Sequence, residues 1–146
     1  QQLGRGGMGV VFKAFEPALD RFVAVKMLAP ALAAPDTARQ RFLREARAAA
    51  SIQHENVVAI HAVGEAAGIP YLAMEHVRGT CLENYVEERG PLSVPVLTSV
   101  SRQVAAGLAA AHLKRIVHRD MKPGNVLFES DTGRAKISDF GLARVS

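Results

Sequence analysis

Apolar residues along this chain recur with two different periods, and the change from one to the other sets out its elements. Short bursts of β-branched and aromatic residues mark strands. Val10-Val11-Phe12-Lys13-Ala14 follows a cluster of glycines, so residues 1–16 read as a β-hairpin whose turn is 4–9. Phe22-Val23-Ala24-Val25-Lys26 alternates, which puts Phe22, Ala24 and Lys26 on one face and Val23 and Val25 on the other. Residues 57–60 and 71–74 give two further strands, joined by a turn across 64–70. Between strands three and four the spacing lengthens to three and four. Phe42, Ala46, Ala49 and Ile52 form one stripe of a helix over 36 to about 52, with Asp36 as N-cap after Pro35. Residues 1–74 thus predict a five-stranded antiparallel sheet carrying one helix.

Past that point periodicity fades through Glu75-His76-Val77-Arg78-Gly79, and 75–79 reads as a hinge. A short helix over 82–88 and a long one over 93–113 follow. In the long helix Leu97, Val100, Val104, Leu108 and Ala111 are spaced as one apolar face, which makes it scaffold. Two short strands then flank a turn at Ser130-Asp131-Thr132-Gly133. Period two places Asn125 with Leu127, and Ile137 with Asp139, leaving Ser138 pointing away. The fold class is α+β.

Composition adds little. Of 146 residues, 49% are hydrophobic and 22% charged, as in ordinary globular domains. The net charge of +4 fits either a solvated surface or a site for polyanions. No run of like charge and no basic–aromatic interleaving marks a nucleic-acid surface. The single cysteine, Cys81, excludes an internal disulfide. No apolar stretch is long enough to span a membrane and no secretory signal pattern is present, so a cytoplasmic location is expected, with any anchor outside these residues. The chain opens almost on its glycine turn, with no full strand before it, and stops five residues after Gly141; it reads as a fragment.

The candidate chemistry lies late in the chain. His118-Arg119-Asp120-Met121-Lys122-Pro123-Gly124-Asn125 is followed by Asp139-Phe140-Gly141. Carboxylate and amide oxygens suit Mg²⁺ and the cations suit phosphate. Near the start, Gly4, Gly6 and Gly9 form G-x-G-x-x-G, a pattern that dinucleotide-binding folds share. There the glycines open a helix, whereas strand residues follow here, and no Gly-Lys-Ser/Thr makes a Walker loop. An ordinary hairpin remains an alternative for this stretch alone. Lys26 alone reads as a snorkelling surface lysine. Glu45 at the edge of its helix stripe either pairs with Arg41 in solvent or turns inward to a cation, for which Lys26 is the candidate. His54, His61, His76, His112 and His118 lack metal-ligand spacing, and His112 reads as structural.

Taken together, G-x-G-x-x-G-x-V ending on Val11, V-A-V-K ending on Lys26, H-R-D-x-K-x-x-N and D-F-G resemble the protein kinase catalytic domain. The wording G-R-G-G-M-G-V-V, R-E-A and H-R-D-M-K-P-G-N resembles bacterial eukaryotic-like (Hanks-type) serine/threonine kinases. This resemblance implies a truncated bilobal fold: N-lobe 1–74, hinge 75–79 and an incomplete helical C-lobe over 80–146. It implies ATP and Mg²⁺ as cofactors and a protein Ser/Thr hydroxyl as acceptor, with autophosphorylation. The nucleotide set is then Leu3, Gly4, Arg5, Gly6, Gly7, Met8, Gly9, Val10, Val11, Ala24, Lys26, Met74 as gatekeeper, Glu75, Val77, Cys81 and Leu127. Lys26 grips the α- and β-phosphates and pairs with Glu45. Asp120 is the base and Lys122 neutralises the phosphoryl group in transfer. Asn125 and Asp139 hold metal.

The resemblance further implies two buried columns. One joins Ala49, Ile60, His118 and Phe140; the other joins Val11 and Ala24 with Leu127. Arg119 would receive a phosphorylated residue beyond Ser146. Cys81 would sit at the front lip of the nucleotide pocket, with simple packing as the alternative. A pseudokinase or scaffold module is the second reading and a small-molecule kinase the third. Residues 1–146 alone are expected to bind nucleotide weakly and to leave protein substrates unmodified.

Overall fold

The computed structural model describes residues 1–6 and 9–140. Gly7, Met8 and Gly141, all singled out above, lie outside these. The described residues fall within two compact units, one built from 1–51 and 59–76, the other from 52–58 and 77–140.

The first unit is a five-stranded antiparallel sheet in the order β1-β2-β3-β5-β4. Its strands are β1 (Gln2–Gly6), β2 (Gly9–Glu16), β3 (Arg21–Leu28), β4 (Ile60–Ala66) and β5 (Ile69–Glu75). The expected hairpin is present, but its turn is narrower than the glycine cluster. Gly4 and Arg5 pair with Val11 and Val10, and Gly6 with Gly9, so a strand does precede the turn. Glycine lacks a side chain but keeps its backbone donor and acceptor, and the ladder simply continues through it. At Gly9, φ is +154° and an added Cβ would overlap the Met27 carbonyl. Gly9→Ala is therefore expected to cost about 1–3 kcal/mol, read as a lower urea midpoint.

Register fixes what each sheet face carries, because directly opposed residues share a face. Val11 opposes Lys26, which opposes Leu72; Lys13 opposes Ala24, which opposes Met74. One face therefore bears Val11, Ala24, Lys26, Leu72 and Met74 together. At its outer end Phe15 meets Phe22 edge-on at 5.3 Å, Lys13 Nζ lies 4.3 Å from the Phe22 ring centre, and His76 packs at 6.5 Å from Phe22.

Two helices accompany this sheet. A four-residue helix, α1 (Pro30–Ala33), adds to the one expected, α2 (Asp36–Ala50). Phe42, Ala46 and Ala49 are buried on α2, as their spacing predicts; burying Phe42 contributes about 2–3 kcal/mol. Asp36 is not the N-cap. Pro35 holds that position, and Asp36 sits in the first turn, where its carboxylate complements the helix dipole and accepts from Arg39 at 2.6 Å. Ile52 is buried but lies beyond the helix, whose C-cap is Ser51.

The second unit holds β6 (Thr80–Cys81), α3 (Leu82–Arg89), α4 (Val94–Leu113), β7 (Val126–Glu129) and β8 (Arg134–Ile137). Its small sheet runs β6-β7-β8. Val57 and Val58 belong here and not to β4: Val57 bridges Ile137, and Val58 N–H donates to its carbonyl at 2.9 Å. An apolar pair with a free backbone edge can be satisfied by any strand that offers one, and the short apolar run alone does not choose. On α4 the buried positions are Val100, Gly107 and Ala111, while Leu97 is 50% exposed. Its inner face thus carries small residues at Gly107 and Ala111, and Val100, Val126, Phe128 and Ala135 form a core that Val104 joins. His112 is exposed. Among the described residues, no helix is long and apolar enough to cross a membrane.

Candidate active site

In the first unit, Lys26 is only 6% exposed, which removes the reading of a snorkelling surface lysine. A buried ammonium is costly unless it is paired or hydrogen-bonded. Ala24 (5%) and Met74 (8%) are buried on the same face, and Val11 is half-buried there. Glu45 is half-buried among buried Phe42, Ala46 and Ala49, so it is not a fully solvated helix charge. Leu3 is 45% exposed on β1.

In the second unit the catalytic-motif residues converge. Asn125, at the end of a short 3-10 turn (Pro123–Asn125), is buried. Its Nδ2 donates to the Asp120 carbonyl at 2.7 Å and to Asp120 Oδ2 at 3.2 Å. Both acceptors are oxygens without protons, which fixes the amide's orientation and leaves Oδ1 outside these bonds. That oxygen is the atom a hard cation needs. Lys122 Nζ reaches Asp120 Oδ2 at 3.1 Å. One carboxylate oxygen thus faces both an amide and an ammonium.

These contacts hold the Asp120 carboxyl below the ordinary 3.8: the Lys122 hydrogen bond is the largest cause, opposed by desolvation, with the Asn125 hydrogen bond and the Lys122 charge adding to the lowering. The sign follows directly. Asp120 stays ionised to lower pH than a free aspartate, and its contribution to stability, present above the unfolded value, is lost as pH falls through the folded one. Lys122→Met is expected to raise the Asp120 carboxyl pKa, observable by carboxyl-carbon NMR titration. An unchanged value would show that Lys122 does not govern this charge.

His118 was expected only to pack. It does, being 2% exposed with its ring 4.7 Å from that of buried Phe140. It also bridges. Asp120 N–H donates to its Nδ1 at 3.3 Å, and its Nε2 lies 2.7 Å from the Ser138 carbonyl. Because Nδ1 accepts, the proton sits on Nε2 and is donated to Ser138. One imidazole therefore ties the backbone of Asp120 to the residue preceding Asp139.

Ser138 closes the circuit. Its N–H and hydroxyl both donate to the Asn125 carbonyl, at 2.9 and 3.2 Å. The expected alternation fails at this point. β8 ends at Ile137, Ser138 is buried, and Asp139 has φ +61°. Asp139 is aimed by a left-handed turn, not by strand pleat, a conformation that aspartate tolerates better than most residues. Arg119, with φ +68°, is exposed. Cys81 is a free, half-buried thiol on β6 opposite half-buried Leu127. Val77 and Glu75 are half-buried.

Two residues that carry this geometry, Asn56 and Gln103, are not picked out from the sequence, and Ser138 is read there only as pointing away. Asn56 is 6% exposed and donates through Nδ2 to Gln103 Oε1 and to the Ala135 carbonyl, both at 2.9 Å. Asn56 follows Gln53, His54 and Glu55, and Gln103 follows Ser101 and Arg102, so neither stands out from its polar neighbours in the sequence.

Comparison with known proteins identifies the family. The family model for the protein kinase domain matches residues 1–146. Serine/threonine-protein kinase PrkC of Bacillus subtilis is 40% identical over 141 residues, 97% of this chain and 22% of that protein. PknK of Mycobacterium tuberculosis is 39% identical over 148 residues, covering the whole chain and 13% of PknK. The chain thus spans about a fifth or less of these relatives' length. Among solved structures, the PknI kinase domain of M. tuberculosis superposes with a TM-score of 0.85 at 37% identity, over 99% of this chain and 57% of that one. Rad53 1-466 in complex with AMP-PNP gives 0.84 at 29% identity, over 97% and 37%. A buried lysine on an antiparallel sheet, an Asp120–Asn125–Lys122 cluster and a full-length family match lead to one assignment: the chain belongs to the protein kinase domain family.

Proposed function

We propose that this chain is the nucleotide-binding and catalytic portion of a protein serine/threonine kinase that moves the γ-phosphoryl group of Mg-ATP to a protein hydroxyl, its own included. The observation that carries this reading is the set of bonds from Asn125 Nδ2 and Lys122 Nζ to Asp120 Oδ2. It leaves an ionised carboxylate beside a partly exposed ammonium, next to an amide oxygen suited to metal. Relatives named as serine/threonine kinases support the acceptor class.

Under this reading residues 1–74 form the N-lobe, 75–79 the hinge and 80–146 the start of the C-lobe. The residues from Leu3 to Val11, outside the described set at Gly7 and Met8, cover the phosphates with backbone N–H groups. Val11, Ala24 and Met74 line the base, Glu75 and Val77 offer it backbone groups, and Cys81 and Leu127 border it. Lys26, oriented by Glu45, binds the α- and β-phosphates. Asp120 accepts the hydroxyl proton and aligns the oxygen for in-line attack. Lys122 is already within reach of Asp120 and neutralises charge on the transferring group.

The oxygens of Asn125 and Asp139 suit Mg²⁺, both being hard donors held by a shared backbone connection through Ser138. When bound, the ion screens charge on the phosphate oxygens. Protein substrate and ATP are the partners implied.

The test is direct. The intact protein carrying this chain is incubated with γ-labelled ATP, Mg²⁺ and a generic basic protein. Label on serine or threonine is expected. Tight ATP binding with no transferred label would reduce the protein to a nucleotide-binding module.

A further inference from the structure

Strand β8 is the last element before Asp139, and its outer edge is covered in an unusual way. Along β8, Lys136 and Arg134 face β7 while Ala135 and Ile137 turn their backbone groups outward. Ala135 N–H donates to Gln103 Oε1 at 2.8 Å, and its carbonyl accepts from Asn56 Nδ2 at 2.9 Å. Ile137 N–H donates to the Asn56 carbonyl at 2.8 Å, and its own carbonyl accepts from Val58 N–H at 2.9 Å. Gln103 Nε2 also donates to the Gly133 carbonyl at 2.8 Å, at the turn into β8. The two amides are joined through Asn56 Nδ2 and Gln103 Oε1. Every outward backbone group of Ala135 and Ile137 is therefore held by these two residues or by Val58.

Such an edge could be closed by a neighbouring strand, whose register is set by its hydrophobic pattern and its turns. Side-chain amides cannot slip, because each is rooted in a fixed backbone position. Helix α4 comes close enough to supply Gln103 because Gly107 lies one turn further on. A Cβ there would stand 2.9 Å from the Asn56 carbonyl and 3.0 Å from Ile137 Cδ1.

We propose that the Asn56–Gln103 amide pair is a positioning device for Asp139. It sets the height at which the chain leaves β8, so that Ser138 meets the Asn125 carbonyl and Asp139 enters its left-handed turn. The inference rests on Asp139 being a Mg²⁺ ligand, and the experiment separates the two. In the intact protein, ATP affinity is measured with and without Mg²⁺, and the ratio is the readout. Gln103→Met keeps size and removes its hydrogen bonds to Ala135, Asn56 and Gly133, together with a longer one to Ser99. It is expected to cut the Mg²⁺ ratio about ten-fold, with metal-free ATP affinity unchanged within about two-fold. Gln103→Glu keeps the acceptor for Ala135 and Asn56 and is expected to recover part of the ratio.

A Gln103→Met protein that melts earlier yet keeps the wild-type ratio overturns the proposal, since a merely structural role predicts that result. Should this variant fail to fold, Gly107→Ala, which presses on the Asn56 carbonyl, decides by the same ratio: reduced supports, unchanged overturns. Asp139→Asn is the control. A wild-type ratio there removes the metal reading and this inference with it. A lost ratio there, with the ratio kept in both other variants, removes this inference alone.

Discussion

Asp120→Asn is expected to lower phosphoryl transfer by about 10²–10⁴-fold, the usual contribution of a positioned general base, while ATP affinity changes by less than about three-fold. The asymmetry follows from the contacts. Asn125 Nδ2 bonds the Asp120 backbone carbonyl at 2.7 Å, and this bond survives the substitution. The loop should keep its shape and Asn125 its orientation. Lys122 loses a charged partner at 3.1 Å and is released toward phosphate, so binding has no reason to weaken. A variant that lost ATP binding in proportion to transfer would show that Asp120 holds the loop together and does not act on the hydroxyl. Single-turnover transfer and equilibrium ATP binding, measured on one preparation, distinguish the two.

Asp139→Asn is expected to remove most of the gain in ATP affinity that Mg²⁺ confers and to lower transfer on the order of 10²-fold or more. A neutral amide replaces the charge that draws a divalent cation, at nearly constant volume. Folding should be little affected, because the backbone bonds that place this residue belong to Ser138, whose N–H and hydroxyl meet the Asn125 carbonyl at 2.9 and 3.2 Å. Titration of ATP affinity against Mg²⁺ reads this directly. An Asp139→Asn protein with wild-type Mg²⁺ dependence would place the metal on other ligands.

Much of the first unit was legible because its signals are local. Alternation in 22–26 and the stripe Phe42, Ala46, Ala49 each report burial on one side of one element, and burial follows them. The errors fall where a backbone edge had two suitors. Val57 and Val58 form a short apolar run that fits β4 as well as the edge of β8, and only tertiary hydrogen bonding to Ile137 chooses. The glycine cluster misled in the opposite direction. Gly4 and Gly6 are conformationally permissive but pair in β1 all the same, since permissiveness allows a turn without demanding one.

At the candidate site, residue types and order pointed to the chemistry, but the means of orientation stayed hidden. Asp139 was placed by strand pleat and is placed by a left-handed turn at φ +61°. The sequence predicts only packing for His118, which also carries two hydrogen bonds. Asn56 and Gln103 are 47 residues apart, and each sits beside other polar residues, so the sequence does not mark either as a bridging group. Side-chain bridges of this kind depend on distance across the fold, which one-dimensional periodicity does not encode.

The central claim is that Asp120 directs the γ-phosphoryl group of ATP onto a protein hydroxyl. Its most direct measurement is phosphoamino-acid analysis of the intact protein after a single turnover of γ-labelled Mg-ATP, with the Asp120→Asn protein alongside. Labelled serine or threonine in the first and background label in the second is the predicted result. Equal label in both, or label on neither with ATP bound, would contradict it.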